Sequence, residues 1–359
     1  MQKESLDFLV SLLETPSPSG YEQAIQRVVK KRMSKFADTI EVDLHGNLIA
    51  AYNPDAKVRV MLSGHCDQIG MMVHHIDEKG YVWFQAIGGI DATVLPGARV
   101  TVLAEEGPIQ GIIGYKPAHL VTASERGKPT EISKLWIDLG FKDEKEAKAK
   151  VRVGDAITYK LGVQHLGKDL IASPGCDNRV GLFVCMEALR LISLAKKGSS
   201  KKSFPVAVFS ASTVQEEIGL RGARTASYSI NPSVGIAVDV THASDNPGAE
   251  VKQVGVMKLN EGPSISRGPN INPVVERLLI DTAKKKKIKY QLQSAPGATG
   301  TDANAIQVNR GGVAAALIGI PNRYMHTPVE VVSLRDLEMA SKLLAETLMR
   351  ITSRTSFVP

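Results

Sequence analysis

The sequence has 359 residues, which suits one large catalytic domain plus a smaller one. Hydrophobic residues at 43% and charged residues at 23% describe an ordinary globular protein, and no apolar run approaches the roughly 20 residues of a membrane span. The formal charge of +7 is dispersed, with local runs at Lys284 to Lys287 and at Lys196, Lys197, Lys201 and Lys202 that lack interleaved aromatic residues. A solvated surface is the expected reading, with neither a nucleic-acid nor a membrane partner.

In chain order, MQKESLDFLVSLLET reads as an amphipathic helix with Leu6, Leu9, Val10 and Leu13 on one stripe. It lacks the small-residue cleavage site of a signal peptide, and the three cysteines, Cys66, Cys176 and Cys185, are few and odd in number. Both features fit a cytoplasmic location. Apolar runs bounded by turn signals predict buried strands at 58–65, 204–212, 234–240 and 313–320. Helical periodicity covers Asn178 to Leu194, with Val180, Phe183, Val184, Leu189 and Ile192 inward, and Ser333 to Ile351. Strands alternating with helices imply an α/β fold with a largely parallel sheet covered on both faces.

Residues 69–162 differ, so 1–68 and 163–359 are expected to form the catalytic domain around an inserted one. Short candidate strands at 69–76, 80–86, 99–105, 109–114 and 155–161, separated by Gly, Pro and charged turns, predict a small β-rich domain. Its middle, Lys116 to Ile132, is a long polar stretch containing His119, Glu125 and Arg126 without a clear period. Long loops of this kind are usually functional or mobile.

Ionisable residues follow the predicted buried strands. His65 and Asp67 come after VRVMLSG, Glu216 and Glu217 after FPVAVFSAS, Asp239 ends GIAVD, His326 follows VAAALIGIPNRYM, and Asp177 opens a helix after a Pro-Gly turn. Sites of open α/β folds gather at the carboxyl ends of strands, so these groups can converge. Each has a plainer reading alone: Asp177 as a helix cap, His326 as a turn residue, Asp239 bonded to its own loop, Glu216 and Glu217 as an exposed acidic pair. Together they fit one chemistry. Two divalent ions about 3.5–4 Å apart can hold a nucleophilic water and polarise a carbonyl, provided a further carboxylate stays free to move protons. A mixed imidazole and carboxylate set favours zinc or cobalt over magnesium or calcium.

At these residues the sequence resembles the M42 metallo-aminopeptidases, the glutamyl and tetrahedral aminopeptidase group. The matching segments are GHCDQIG (64–70), CDNRVG (176–181), QEEIGLRGA (215–223), AVDVTHASDNPG (237–248), GTDANAIQ (300–307) and RYMHTPVEV (323–331), in the family's order. The resemblance implies His65, Asp177 and Asp239 on one metal and Asp177, Glu217 and His326 on the other, so that Asp177 bridges. It implies Glu216 as the general base acting on a metal-bridged water, and Asp67 as the carboxylate that orients His65. One departure is Gln68, where the family often has an acidic residue. The implied fold is an α/β peptidase domain interrupted by a β-barrel-like dimerisation domain, with dimers assembling into a twelve-subunit shell. The implied activity is removal of the N-terminal residue from short peptides. The alternatives are a related two-metal deacylase, an endoglucanase, or a non-catalytic assembly protein. Against a glycosidase, two unligated carboxylates usually flank the bond that such an enzyme cuts.

Overall fold

The computed structural model describes the chain except for residues 123–126, 128 and 198–203, so Glu125, Arg126, Lys201 and Lys202 lie outside the described residues. The chain opens with α1 (Lys3–Leu13), α2 (Gln23–Met33), β1 (Thr39–Val42), β2 (Leu48–Tyr52) and β3 (Val58–His65). Next come β4 (Gly70–Ile76), β5 (Val82–Ile87), β6 (Arg99–Ala104), β7 (Gly107–Gly114), β8 (Trp136–Asp138), the short α3 (Glu144–Lys148) and β9 (Ala156–Tyr159). Then follow β10 (Gln164–Leu166), β11 (Leu170–Ala172), α4 (Cys176–Ala195), β12 (Val206–Thr213), α5 (Arg221–Ile230) and β13 (Val234–His242). The chain continues through α6 (Val251–Val254), β14 (Ser264–Arg267), α7 (Pro273–Lys286), β15 (Gln291–Ser294), α8 (Asp302–Gln307), β16 (Ala314–Arg323), β17 (Val331–Ser333) and α9 (Leu334–Leu348).

Eleven of these strands form one mixed sheet, ordered β1-β2-β12-β3-β13-β16-β17-β11-β10, with β14 and β15 branching from β16. The parallel arrangement expected from the apolar runs holds at the centre, where β12, β3, β13 and β16 are mutually parallel. The flanks pair antiparallel, through β1 with β2, β2 with β12, and β16 with β17. The central strands are buried on both faces, which is why they carry near-continuous apolar sequence.

Two helical readings shift. Helix α1 buries Ser5, Phe8, Leu9, Leu12 and Leu13, leaving Leu6 and Val10 at the margin of the stripe. Helix α4 is buried around nearly its whole circumference rather than on one face, because the sheet covers one side and α1 and α9 cover the other. The Lys284 to Lys286 run occupies the last turn of α7, where cations complement the helix dipole.

The strands between Gly70 and Tyr159 close into a barrel, β4-β5-β8-β7-β6-β9, around Met71, Val73, Phe84, Val100, Val102, Ile113, Ile137 and Ile157. Its closure depends on β8, three residues too short to show a period in the sequence, which pairs β5 on one side and β7 on the other. Closure removes the exposed edges that five open strands would leave.

Candidate active site

Because β3, β12, β13 and β16 run parallel, their carboxyl ends lie at one rim of the sheet. His65 ends β3 directly opposite Thr213 at the end of β12, and Asp239 on β13 sits opposite Gly319 on β16. Gly64 lets α4 approach that rim: a Cβ there would stand 2.5 Å from the Leu182 amide nitrogen. The start of α4 therefore lies against the end of β3, which brings Asp177 beside His65.

The chemistry-bearing groups meet around Asp177. Its Oδ1 lies 3.3 Å from His65 Nε2, while its Oδ2 lies 3.2 Å from His326 Nε2. Asp239 Oδ1 stands 3.8 Å from His65 Nε2, and Glu217 Oε2 stands 3.5 Å from His326 Nε2. Glu216 Oε2 is 3.7 Å from His65 Nε2. Ligand atoms of His65, Asp177 and Glu217, and likewise of His65, Glu216 and Asp239, lie within 4.8 Å of one another. Distance alone thus brings together all six residues expected as metal ligands or base, without separating Glu216 from the ligands.

The electrostatics show a concentration of negative charge that the protein alone does not balance. Burial and neighbouring carboxylates push the carboxyls of Glu216 and Glu217 up, and that of Asp239 up to about 8. Burial would do the same to Asp177, but hydrogen bonds from His326 and His65 hold it well below the usual carboxylate range. The Asp177 hydrogen bond in turn raises His326 to about 8. For His65, burial acts to lower the imidazole, yet Glu216, Asp177 and Asp67 raise it well above its ordinary value. Glu217 Oε1 is buried with no hydrogen-bond partner among the described residues. Without cations such a cluster stays compact only by retaining protons; divalent ions between the same oxygens and nitrogens would keep it ionised. The mixed donor set therefore fits metal.

A ring of buried groups fixes these side chains. Asp67 accepts from Ser19 Oγ at 2.7 Å and from the amides of Glu216 and Glu217 at 3.0 and 3.1 Å. It pins the turn that carries both glutamates, while the shorter contact to His65 Nδ1, 3.1 Å, comes from the Asp67 main-chain oxygen rather than its carboxylate at 3.4 Å. His326 Nδ1 lies 2.8 Å from the carbonyl of Gly89, which follows β5. With Nδ1 donating there, Nε2 is left free to ligate.

Sequence reasoning missed three supports that lie inside the quoted motifs. Glu330 accepts from the Asp177 amide at 2.7 Å and the His326 amide at 3.2 Å, so one buried carboxylate holds the backbones of both residues. Asp302 accepts from Ser63 Oγ at 2.6 Å and Thr213 Oγ1 at 2.7 Å, bracing the ends of β3 and β12. Arg179, wholly buried, donates to the carbonyls of Leu12, Leu13, Thr15, Pro174 and Gly175, and so ties the end of α1 to the turn before Asp177. For Glu330 the available signal is a lone charge within PVEVV. Gln68 is buried, with its main chain bonded to Ser17 and Ser19.

The cluster floors a cleft of about 420 Å³, walled by β14, β15, β16 and the segment from Ser294 to Thr301. The chain matches a family profile described as M42 glutamyl aminopeptidase over residues 46–343. It is 36% identical to a lysyl aminopeptidase of Pyrococcus furiosus, over 98% of this chain and 99% of that protein. Among solved structures it superposes on a TET aminopeptidase from a marine sediment Thaumarchaeota archaeon with a TM-score of 0.91 and 33% identity, covering 98% and 97% of the two chains. A Pyrococcus horikoshii TET1 peptidase, described as assembling into a tetrahedron or a large octahedral shell, superposes with a TM-score of 0.85 and 28% identity, covering 97% of this chain and 100% of that one.

Proposed function

Because the chain belongs to the M42 glutamyl aminopeptidase family and is a hydrolase of that class, we propose that it removes the N-terminal residue from short peptides with the help of two divalent ions, zinc or cobalt. His65, Asp177 and Asp239 would hold one ion; Asp177, Glu217 and His326 would hold the other. The observation that carries this reading is Asp177, whose two oxygens face two different histidines at 3.3 and 3.2 Å. When bound, the ions would polarise the scissile carbonyl and acidify the attacking water. Glu216 takes the proton of that water and returns it to the departing amine. Asp67 keeps Glu216 and Glu217 on one turn so that the two divide base and ligand roles.

The free amine of the substrate is attracted by the surrounding carboxylates, which favours cleavage at the N-terminus. The barrel-forming segment, residues 69–162, is proposed to make the dimer contact of a homo-oligomer, with a twelve-subunit shell as the particle. No helix among the described residues is long and apolar enough to cross a membrane, and the proposed place of work is the cytoplasm.

The test is metal removal. Chelator-stripped protein, shown metal-free by elemental analysis, is expected to lose hydrolysis of unblocked peptides and regain it with cobalt or zinc, while N-acetylated peptides stay intact throughout. Undiminished hydrolysis by metal-free protein would defeat the mechanism, and equal rates on blocked and free peptides would defeat the end-specificity.

A further inference from the structure

The cleft is backed by buried residues, whereas its mouth is lined by the exposed Ser294, Pro296, Ala298 and Gly300. Ser266 on β14, Leu317 and Gly319 on β16, and Thr301 all line the cleft and are all buried. An N-terminal residue is the last residue of its chain on that side and needs no exit, so the buried back of the cleft is where its side chain goes. The rest of the peptide leaves through the mouth.

The chemistry of that buried back is neutral. Apart from the groups assigned to metal and base, the lining carries no Asp, Glu, Lys or Arg among the described residues, and the remaining titratable side chain is the exposed His242. Ser266 is 1% exposed, and its hydroxyl is buried without a hydrogen-bond partner among the described residues. Beside it in register is Gln293, whose side-chain oxygen accepts from Ser264 Oγ at 3.1 Å, leaving its NH₂ as the free end. Thr299 accepts from Asn270 at 3.0 Å and donates to Asn304 at 3.0 Å, so this polar wall is held in place before any substrate arrives.

We propose that this buried back of the cleft, which includes Ser266, selects peptides whose N-terminal side chain is uncharged, either apolar or bearing an amide or hydroxyl. The inference rests on the aminopeptidase reading and names the substrate class for it. A buried charge needs a counter-charge, and this wall offers none. A Lys or Arg side chain finds no carboxylate that is not already committed to the centre. An Asp or Glu side chain finds no cation in the wall and is repelled by the carboxylates nearby. A neutral polar side chain instead meets the amide donor of Gln293, and an apolar one meets Leu317.

The experiment is a panel of aminoacyl-aminomethylcoumarins, with cobalt-loaded full-length protein and kcat/KM as the readout. Leu, Met, Gln and Ala substrates are expected to exceed Lys, Arg, Glu and Asp by about tenfold or more. Calorimetric binding of the free product amino acids should follow the same order. Ser266→Asp should raise Lys and Arg relative to Leu by about tenfold, because it supplies the missing carboxylate. A wild-type preference for any charged residue overturns the proposal while leaving the aminopeptidase reading intact, and it does so even if Ser266→Asp does not fold. Failure to hydrolyse every member of the panel, with full metal content, overturns that reading itself and the proposal with it.

Discussion

The parallel centre of the sheet and the closed barrel are both β structure built around apolar cores, yet they relate to the site in different ways. The parallel strands end together at one rim, and three of those ends deliver a side chain: His65 from β3, the Glu216–Glu217 turn after β12, and Asp239 from β13. The barrel supplies none of these. Its reach into the site is the main-chain carbonyl of Gly89, which holds His326 from outside the sheet. A parallel sheet thus gathers chemistry by its topology, whereas the barrel can only steer what the sheet has gathered.

The strongest test of that division lies within one turn of the chain. Glu216→Gln is expected to lower kcat by about 10²–10⁴-fold with metal content unchanged, since general-base contributions fall in that range. Glu217→Gln is expected to lose metal instead. Elemental analysis beside steady-state kinetics separates the two, and near-normal kcat in Glu216→Gln would reassign the base.

Next in size is Glu330→Gln. The glutamine can still accept one amide, but its NH₂ faces the other, so the shared clamp on Asp177 and His326 is broken. Metal affinity measured by competition with a chelating dye should fall by about 10–100-fold, the usual consequence of losing an outer hydrogen-bond partner. Unchanged affinity would mean that the clamp is not what fixes the ligands.

A smaller effect probes the barrel. Gly89→Ala would place a Cβ 3.3 Å from His326 Nδ1, a contact tighter than side chains normally make. A several-fold loss of metal affinity is expected, while Ile157→Val inside the barrel should cost about 0.5–1.5 kcal/mol of stability and leave kcat alone. If the barrel-core variant altered kcat as much as the glycine variant did, steering through one carbonyl would be the wrong description.

The smallest expected effect is on melting temperature. In metal-free protein Asp239 and His326 hold protons up to about pH 8, above the usual values of 3.8 and 6.5. Between about pH 4 and 8 the folded chain therefore retains protons that the unfolded chain has released, and stability falls as pH rises. Metal keeps the same groups deprotonated. The melting temperatures of loaded and stripped protein should therefore diverge by several degrees from pH 5 to pH 8. A constant gap would show that the cluster does not titrate as described.

Much of this was legible in the sequence because it depends on local pattern. Apolar runs marked the central strands to within about three residues, and the ionisable residue after each run marked the rim. What failed was non-local. Helix α1 turned its Phe8 and Leu12 edge inward because α2 and α4 receive it there, and α4 lost its solvent face to α1 and α9. Strand β8 escaped notice because three residues carry no period, and only its neighbours make it a strand.

By itself the sequence determined the residue types of the site, their order, and the alternation of strand and helix that sends them to one rim. Tertiary structure alone decided how they are held. Glu330 reaches back to Asp177, Asp302 braces strands from two distant segments, and Gly89 comes from the barrel to orient His326. A side chain's preference for helix, strand or burial is written in its neighbours along the chain. Its hydrogen-bond partner is chosen by the few ångströms that folding brings together.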